Sequence, residues 1–168
     1  MLKYRTNYKK RKEMKKDAIL SEDRKYRYVL SRIWDETKPM VAIIGLNPST
    51  ADEKEDDNTI TKCINFANNW GYGGIYMLNL FAYRATSPQD MFNSEYPIGE
   101  ENDTYIDKYS KLSDKVICAW GNDGNYKHRS QEVLSKIENK YYLKLNKTGE
   151  PAHPLYLSSE LKPIKFDN

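Results

Sequence analysis

The feature that most constrains the fold is a series of short apolar runs separated by segments of helical periodicity. Buried strands are predicted at Met40–Leu46, Ile75–Phe81, Lys115–Trp120 and Tyr141–Leu145. Because strands that alternate with helices build βαβ units, the pattern predicts one α/β domain. We expect three α/β/α layers around a central, mostly parallel four-stranded sheet.

Helices are expected between these strands, where apolar residues recur at intervals of three and four residues. The segments with this period are Asn58–Trp70, Glu100–Leu112 and Lys127–Ile137. Ser87 precedes a proline and predicts the N-cap of a further helix. The segment Tyr26–Trp34 mixes aromatic and β-branched residues, and we interpret it as a strand or a short helix.

Basic residues concentrate at the start of the chain. Residues 1–30 hold eleven Lys and Arg against four acids, a net charge of +7, whereas the other 138 residues have a net charge of −4. We therefore divide the chain into a basic segment, residues 1–25, expected to be mobile or helical, and a domain spanning residues 26–168. The densest cationic run in the segment is Lys9, Lys10, Arg11 and Lys12. Such a run would suit contact with a phosphate backbone, and the alternative is a solvated tail.

Composition argues against several classes of protein. Hydrophobic residues make up 39% and charged residues 30%, and no apolar run approaches the ~20 residues of a membrane helix. We therefore expect no membrane contact. Cys63 and Cys118 lie far apart without metal-ligand spacing, so neither a disulfide framework nor a zinc site nor another cofactor is expected. The charged N-terminus does not resemble a secretory signal, and we expect a cytoplasmic protein.

Two loops that follow predicted strands carry polar residues suited to ligand binding, because ligands bind beyond the carboxyl ends of parallel strands. Asn47 follows the first strand in a Gly-Leu-Asn-Pro-Ser turn, where its amide could orient a water or pair with a base edge. The alternative is a plain turn in which Ser49 or Thr50 caps the next helix. Asn79 interrupts an otherwise apolar strand, and its buried amide would hold a loop or recognise a ligand. Arg84 could anchor a phosphate or pair with an acid.

His153 lies between two prolines that stiffen its loop. A neutral imidazole there could donate a hydrogen bond to a developing oxyanion, and the alternative is a common His-Pro turn. A separate acidic run comprises Asp52, Glu53, Glu55, Asp56 and Asp57. These carboxylates would repel a phosphate backbone, or they could hold a divalent cation.

In order and spacing, these segments resemble the uracil-DNA glycosylase superfamily. The similar pieces are GLNPS, MLNLFAYRA, VICAWG and HPLYLS, within residues 40–158. The resemblance implies a uracil-DNA glycosylase-like fold. The whole chain, with GLNPSTADE, DDNTI, NLFAYRATSP and HPLYL, resembles the bacterial domain of unknown function 1643 family, which implies little about activity.

The resemblance to the glycosylases implies a role for each matched residue. Asn47 would position the attacking water, His153 would stabilise the leaving oxyanion and Asn79 would read the base. Leu157 would match an intercalating leucine. A stacking aromatic would be Phe66, Phe81 or Tyr83. The implied DNA contacts also include Pro48, Ser49 and Arg84.

Departures from the glycosylase pattern limit the expected activity. Leu155 stands where the family has a serine that grips a phosphate, and the acidic run replaces a proline-serine loop. Ser49 replaces a tyrosine that excludes thymine, which opens the pocket. Because flipping a base costs a few kcal/mol, we expect a protein that binds or acts on DNA or a nucleobase without robust uracil excision.

Two other functions and two kinds of partner stay open. The first alternative is an active pyrimidine-DNA glycosylase that uses Asn47 and His153 in DNA repair. The second is a metal-dependent nucleotide or phosphate enzyme that uses Asp52–Asp57. The expected partners are single-stranded or mismatched DNA and a protein. We also expect the gene for this chain to lie in a mobile genetic element.

Overall fold

The computed structural model of the protein describes residues 13–167. Within these residues, seven strands form one mixed sheet. They are β1 (Lys15–Leu20), β2 (Arg27–Ile33), β3 (Met40–Gly45), β4 (Gly74–Asn79), β5 (Lys115–Cys118), β6 (Lys140–Tyr142) and β7 (Ile164–Lys165). Their order across the sheet is β1-β2-β4-β3-β5-β6-β7.

Parallel pairing joins the four strands at the centre of this sheet. β4 pairs with β3, β3 with β5 and β5 with β6, all in parallel. The pairs β1–β2, β2–β4 and β6–β7 are antiparallel. The predicted four-stranded parallel sheet is therefore only the central part of a larger mixed sheet, because three antiparallel strands extend it.

Helices cover the sheet and end close to the predicted positions. They are α1 (Asn58–Asn69), α2 (Pro88–Phe92), α3 (Asn102–Leu112) and α4 (Arg129–Leu134), with 3-10 turns at Asn122–His128 and Pro154–Tyr156. Ser87 caps α2 as predicted, because its side chain accepts the N–H of Asp90. No helix in residues 13–167 has the length and apolar character that would let it cross a bilayer.

The alternation of side chains along the strands produces two apolar layers. In β3, Val41 and Ile43 pack in the layer that contains the buried face of α1. Ala42 and Ile44 point to the opposite face and pack in the layer that contains residues of α3 and α4. Both faces of the sheet are thus buried, which is why its central strands have continuous apolar sequences.

Strand β1 differs from the sequence prediction. Residues 1–25 are expected to be mobile or helical, and this is wrong for Lys15–Leu20, which pair with β2 from Lys15 opposite Ile33 to Leu20 opposite Arg27. Residues 15–17 of this strand are exposed and residues 18–20 are half-buried. Its sequence therefore lacks the alternation of apolar and polar residues that indicates a strand. The cationic run is Lys9, Lys10, Arg11 and Lys12, and it lies outside the described residues.

Candidate functional site

A cavity of about 460 Å³ opens at the carboxyl ends of β3, β4 and β5. Its walls include the end of β3 and the loop that follows it (residues 45–49), residues 119–123 after β5 and residues 153–155. Asn47, Asn79 and His153, which are far apart in sequence, all line this cavity. The position is the one expected for a ligand site in a parallel sheet.

Two hydrogen bonds from its amide nitrogen hold the Asn47 side chain in one orientation. Its Nδ2 donates to the carbonyl oxygens of Ala85 at 2.9 Å and Pro48 at 3.1 Å. These bonds join the loop after β3 to the segment after β4. The Oδ1 atom makes no hydrogen bond to any residue between 13 and 167, so Asn47 can offer an acceptor to a ligand or a water.

Asn79 ends β4 and is only 3% exposed. Its Oδ1 accepts a hydrogen bond from Nη2 of Arg27 at 3.2 Å. Its Nδ2 lies beside Gly45, where an added Cβ would come within 3.1 Å of it. Asn79 therefore uses its acceptor on the protein and offers its donor to the cavity, which matches a carbonyl oxygen on a ligand.

Arg27 also lines the cavity, although it belongs to none of the sequence motifs, and it is buried in β2 with 2% exposure. Besides its bond to Asn79, Nη1 donates to the carbonyl oxygen of Ala51 at 3.1 Å, and Nε has no partner in the described chain. Burial lowers the pKa of Arg27 to about 10, although the charge of Asp57 partly opposes this shift. A guanidinium without an ion pair among residues 13–167 thus lies at the cavity wall.

The geometry of His153 favours the neutral imidazole. Its Nδ1 accepts the backbone N–H of Leu155 at 3.2 Å, so the proton of the neutral ring is on Nε2. His153 is exposed at the rim of the cavity, but the surrounding protein still removes enough water to lower its pKa. The charge of Asp57 acts in the opposite direction. His153 can therefore donate through Nε2 near neutral pH.

This pKa shift predicts how stability depends on pH. The folded state binds the His153 proton less well than the unfolded chain does. The contribution of His153 to the free energy of unfolding is therefore complete above about pH 6.5 and is lost as the pH falls through the lowered pKa. We expect urea unfolding of the wild type to lose stability in this range relative to His153→Gln. An NMR titration midpoint at or above 6.5 would contradict the assignment. Asp57→Asn should move the midpoint further down.

The acidic run fastens its own loop to the protein. Asp52 accepts the backbone N–H groups of Lys54 and Glu55, and Asp57 caps α1 by accepting the N–H of Ile60 at 2.9 Å. Ion pairs also attach the run: Arg24 pairs with Glu53 and Asp52, and Asp56 pairs with Arg32 and Lys16. In the described part of the chain, no group of three or more His, Cys, Asp or Glu residues could hold a metal.

The aromatic residues proposed for stacking lie elsewhere. Phe66 lies on the buried face of α1 and stacks on Trp70, with 5.2 Å between the ring centroids. Phe81 is fully buried and packs near Tyr126. Tyr83 lines a neighbouring cleft. Trp120 borders the cavity, but its side chain is only 1% exposed and packs in the core, and its Nε1 donates to Glu150 at 2.5 Å.

The other residues predicted to contact DNA lie in three different places: the cavity, the neighbouring cleft and the apolar layer of α1. Pro48 and Ser49 line the cavity, whereas Arg84 lines the neighbouring cleft. Leu157 is half-buried against the apolar layer of α1, so it is not presented as a wedge. The preceding residue, Tyr156, is 92% exposed instead.

These observations define an α/β protein with a cavity lined by polar side chains at the carboxyl edge of its parallel strands. The chain belongs to the family described as protein of unknown function (DUF1643), whose profile matches residues 27–155. The match includes β2 to β6 and every part of the cavity wall. Comparisons with curated proteins and with solved structures gave no match. The resemblance to uracil-DNA glycosylases stays a prediction.

Proposed function

We propose that the cavity binds a nucleobase, and that the protein binds or acts on DNA or another nucleobase-bearing ligand without robust excision of uracil. The observation that carries this proposal is the convergence of Asn47, Asn79 and His153 on one cavity. Its volume of about 460 Å³ lies within the ~300–1,000 Å³ usual for small-molecule sites.

The polar groups of the cavity suit a base edge. Asn79 Nδ2 would donate to a carbonyl oxygen of the base, and Arg27 keeps this amide from turning over. Asn47 Oδ1 would accept from an N–H of the base or from a water. Leu46 and Leu155, which are half-buried at the cavity, supply apolar wall area against which a flat ring can pack.

Hydrolysis of the N-glycosidic bond is the second candidate. Water held by Asn47 Oδ1 would attack the sugar carbon, the bonding electrons would go to the base, and His153 Nε2 would donate to the resulting oxyanion. A carboxamide cannot take the proton of the attacking water. The carboxylates that line the cavity are Asp57 and Asp123, and Asp57 already accepts the N–H of Ile60. The proton of the attacking water would have to pass to Asp123, which is exposed at the rim, or to Asp57. No hydrogen bond in the described chain holds either carboxylate against Asn47, and this favours binding over fast cleavage.

The experiment combines binding and base release on labelled oligonucleotides. The substrates are single strands and duplexes with G·U or G·T mismatches, together with matched strands that carry an abasic site. We expect binding that prefers the base-bearing strand and weakens about tenfold in Asn79→Ala, because a buried hydrogen bond is lost. Asn68→Ala, an exposed change on α1, is the matched control.

Each other outcome has a defined meaning. Equal binding of base-bearing and abasic strands, unaffected by Asn79→Ala, would reject the proposal. Rapid base release at protein excess, lost in both Asn47→Ala and His153→Ala, would instead establish the glycosylase.

A further inference from the structure

A second, open cleft of about 790 Å³ adjoins the cavity. Ser49, Ala85 and Thr86 line both spaces, so the two are neighbours along one wall. That wall is rigid, because Ala85 exchanges hydrogen bonds with the loop after β3. Its N–H donates to Pro48 at 3.0 Å, and its carbonyl accepts from Asn47 at 2.9 Å. A ligand bound in the cavity can therefore extend past Ser49 into the cleft.

The cleft has an excess of positive charge. It is lined by three cations, Arg24, Lys25 and Arg84, and one carboxylate, Asp90. Arg24 pairs with Glu53 at 3.0 Å. Within residues 13–167, neither Lys25 nor Arg84 takes part in an ion pair. Lys25 and Arg84 thus form no ion pair within the described residues, although the charges of Asp23 and Asp52, which lie outside the cleft lining, partly offset theirs.

Backbone contacts hold these cations together. The N–H of Arg84 donates to the carbonyl oxygen of Lys25 at 2.9 Å, and its Nη1 donates to the carbonyl oxygen of Arg24 at 3.2 Å. Hydroxyl and amide donors lie around them, from Ser49, Thr50, Thr86 and Asn93. Cations surrounded by hydroxyl donors are the groups that proteins use to hold phosphate oxygens.

We propose that this basic cleft binds a phosphate joined to the nucleoside whose base occupies the cavity. The inference rests on the proposed function and narrows its ligand from a base or nucleoside to a nucleotide. The phosphate can be the monoester of a free nucleotide or the diester of a nucleic-acid strand. Both present the same anionic oxygens, and the experiment distinguishes them.

The test measures dissociation constants of the full chain for deoxyuridine, its 5′- and 3′-monophosphates, and a short single strand with one uracil. We expect at least one phosphorylated ligand to bind about tenfold more tightly than the nucleoside. Lys25→Gln and Arg84→Gln should each remove most of this gain. Lys162→Gln, which removes an exposed cation outside the cleft, is the matched control. Thermal unfolding verifies that each variant is folded.

Salt dependence separates the two sources of phosphate. If the natural ligand is a strand, its affinity should exceed that of both monophosphates, and each cleft variant should reduce the slope of log affinity against log salt by about 0.7. If the ligand is a free nucleotide, a monophosphate should bind as tightly as the strand.

Failure of this inference differs from failure of the proposed function. Equal affinity for nucleoside and nucleotides, with no effect of Lys25→Gln or Arg84→Gln, would overturn the cleft and leave the cavity proposal intact. Binding of an abasic strand that equals the uracil strand, and that still depends on Lys25 and Arg84, would support the cleft and reject the base site. If no ligand binds, both proposals fail.

Discussion

Replacing Arg27 by methionine should weaken binding of a uracil-containing strand by tenfold or more while the protein stays folded. Without Arg27, the amide of Asn79 loses the donor that fixes its Oδ1 and can turn over. It would then present an oxygen where the ligand needs a donor, which costs about 1–3 kcal/mol for the unmatched group. Fluorescence anisotropy with the wild type and the variant measures the effect.

The free energy of unfolding should change by less than about 1 kcal/mol in the same variant. A buried guanidinium without an ion pair is costly, as its lowered pKa of about 10 indicates. Removing that cost offsets the lost hydrogen bonds to Asn79 and Ala51. Arg27→Lys, which keeps a positive charge and a donor, should recover part of the affinity. Unchanged binding in the methionine variant would show that Arg27 does not orient Asn79.

Replacing Arg32 by methionine should, unlike Arg27→Met, strongly destabilise the fold. We expect it to lower the free energy of unfolding by about 3–5 kcal/mol. Arg32 is fully buried on the same strand, and its Nε donates to Asp56 at 2.7 Å. Its other nitrogens donate to the backbone carbonyls of Asp17, Ser31, Asp52 and Glu55. The methionine variant leaves the partly buried carboxylate of Asp56 with only its longer contact to Lys16, and removes a donor from each of these carbonyls. Denaturant unfolding with an unchanged m value measures this loss.

Lys16→Gln is the matched control for that prediction. Lys16 also pairs with Asp56, at 3.7 Å, but its side chain is 38% exposed. Exposed pairs contribute about 0–1 kcal/mol, so little change is expected. Equal losses for Lys16→Gln and Arg32→Met would mean that the charge of Asp56, and not burial of the arginine, controls the attachment of the acidic loop.

The central fold can be predicted because the residues that form it are buried on both sides. Val41 to Ile44 face two apolar layers, so the run is continuous in sequence and its strand is evident. Strands β1 and β7 are covered less, and β7 has only two exposed residues. Their formation depends on pairing with a neighbour that is distant in sequence, which local composition does not record.

Part of the cavity lining can be predicted because a polar residue within an apolar strand is easily recognised in the sequence. Asn79 stands out as a polar residue in an apolar strand, and its cavity position agrees with that signal. The same argument applies to Arg27, which interrupts the aromatic and β-branched segment Tyr26–Trp34, and would have found it. Trp120 gives no such signal, because a tryptophan at the end of an apolar strand is equally typical of a core.

Distinguishing the exposed residue in a short loop requires the tertiary structure. Leu155, Tyr156 and Leu157 are adjacent and apolar, yet Leu155 lines the cavity, Tyr156 is exposed and Leu157 packs against the α1 layer. The 3-10 turn of Pro154–Tyr156 sets these directions. A motif match alone assigns the wedge role to Leu157, since it compares order along the chain and not side-chain direction.

The antiparallel strand β1 bears on where the chain can be shortened. The change in composition at residue 25 suggests a boundary there, but a fragment that begins at residue 26 would lack the neighbour of β2. One row of N–H and C=O groups on β2 would then be open to strands of other molecules, which is how sheets aggregate. Intact β1 instead presents Lys15, Lys16 and Asp17, all exposed, as the outermost strand. Charged side chains on an edge strand oppose such self-association, so the basic start of the sheet also protects solubility.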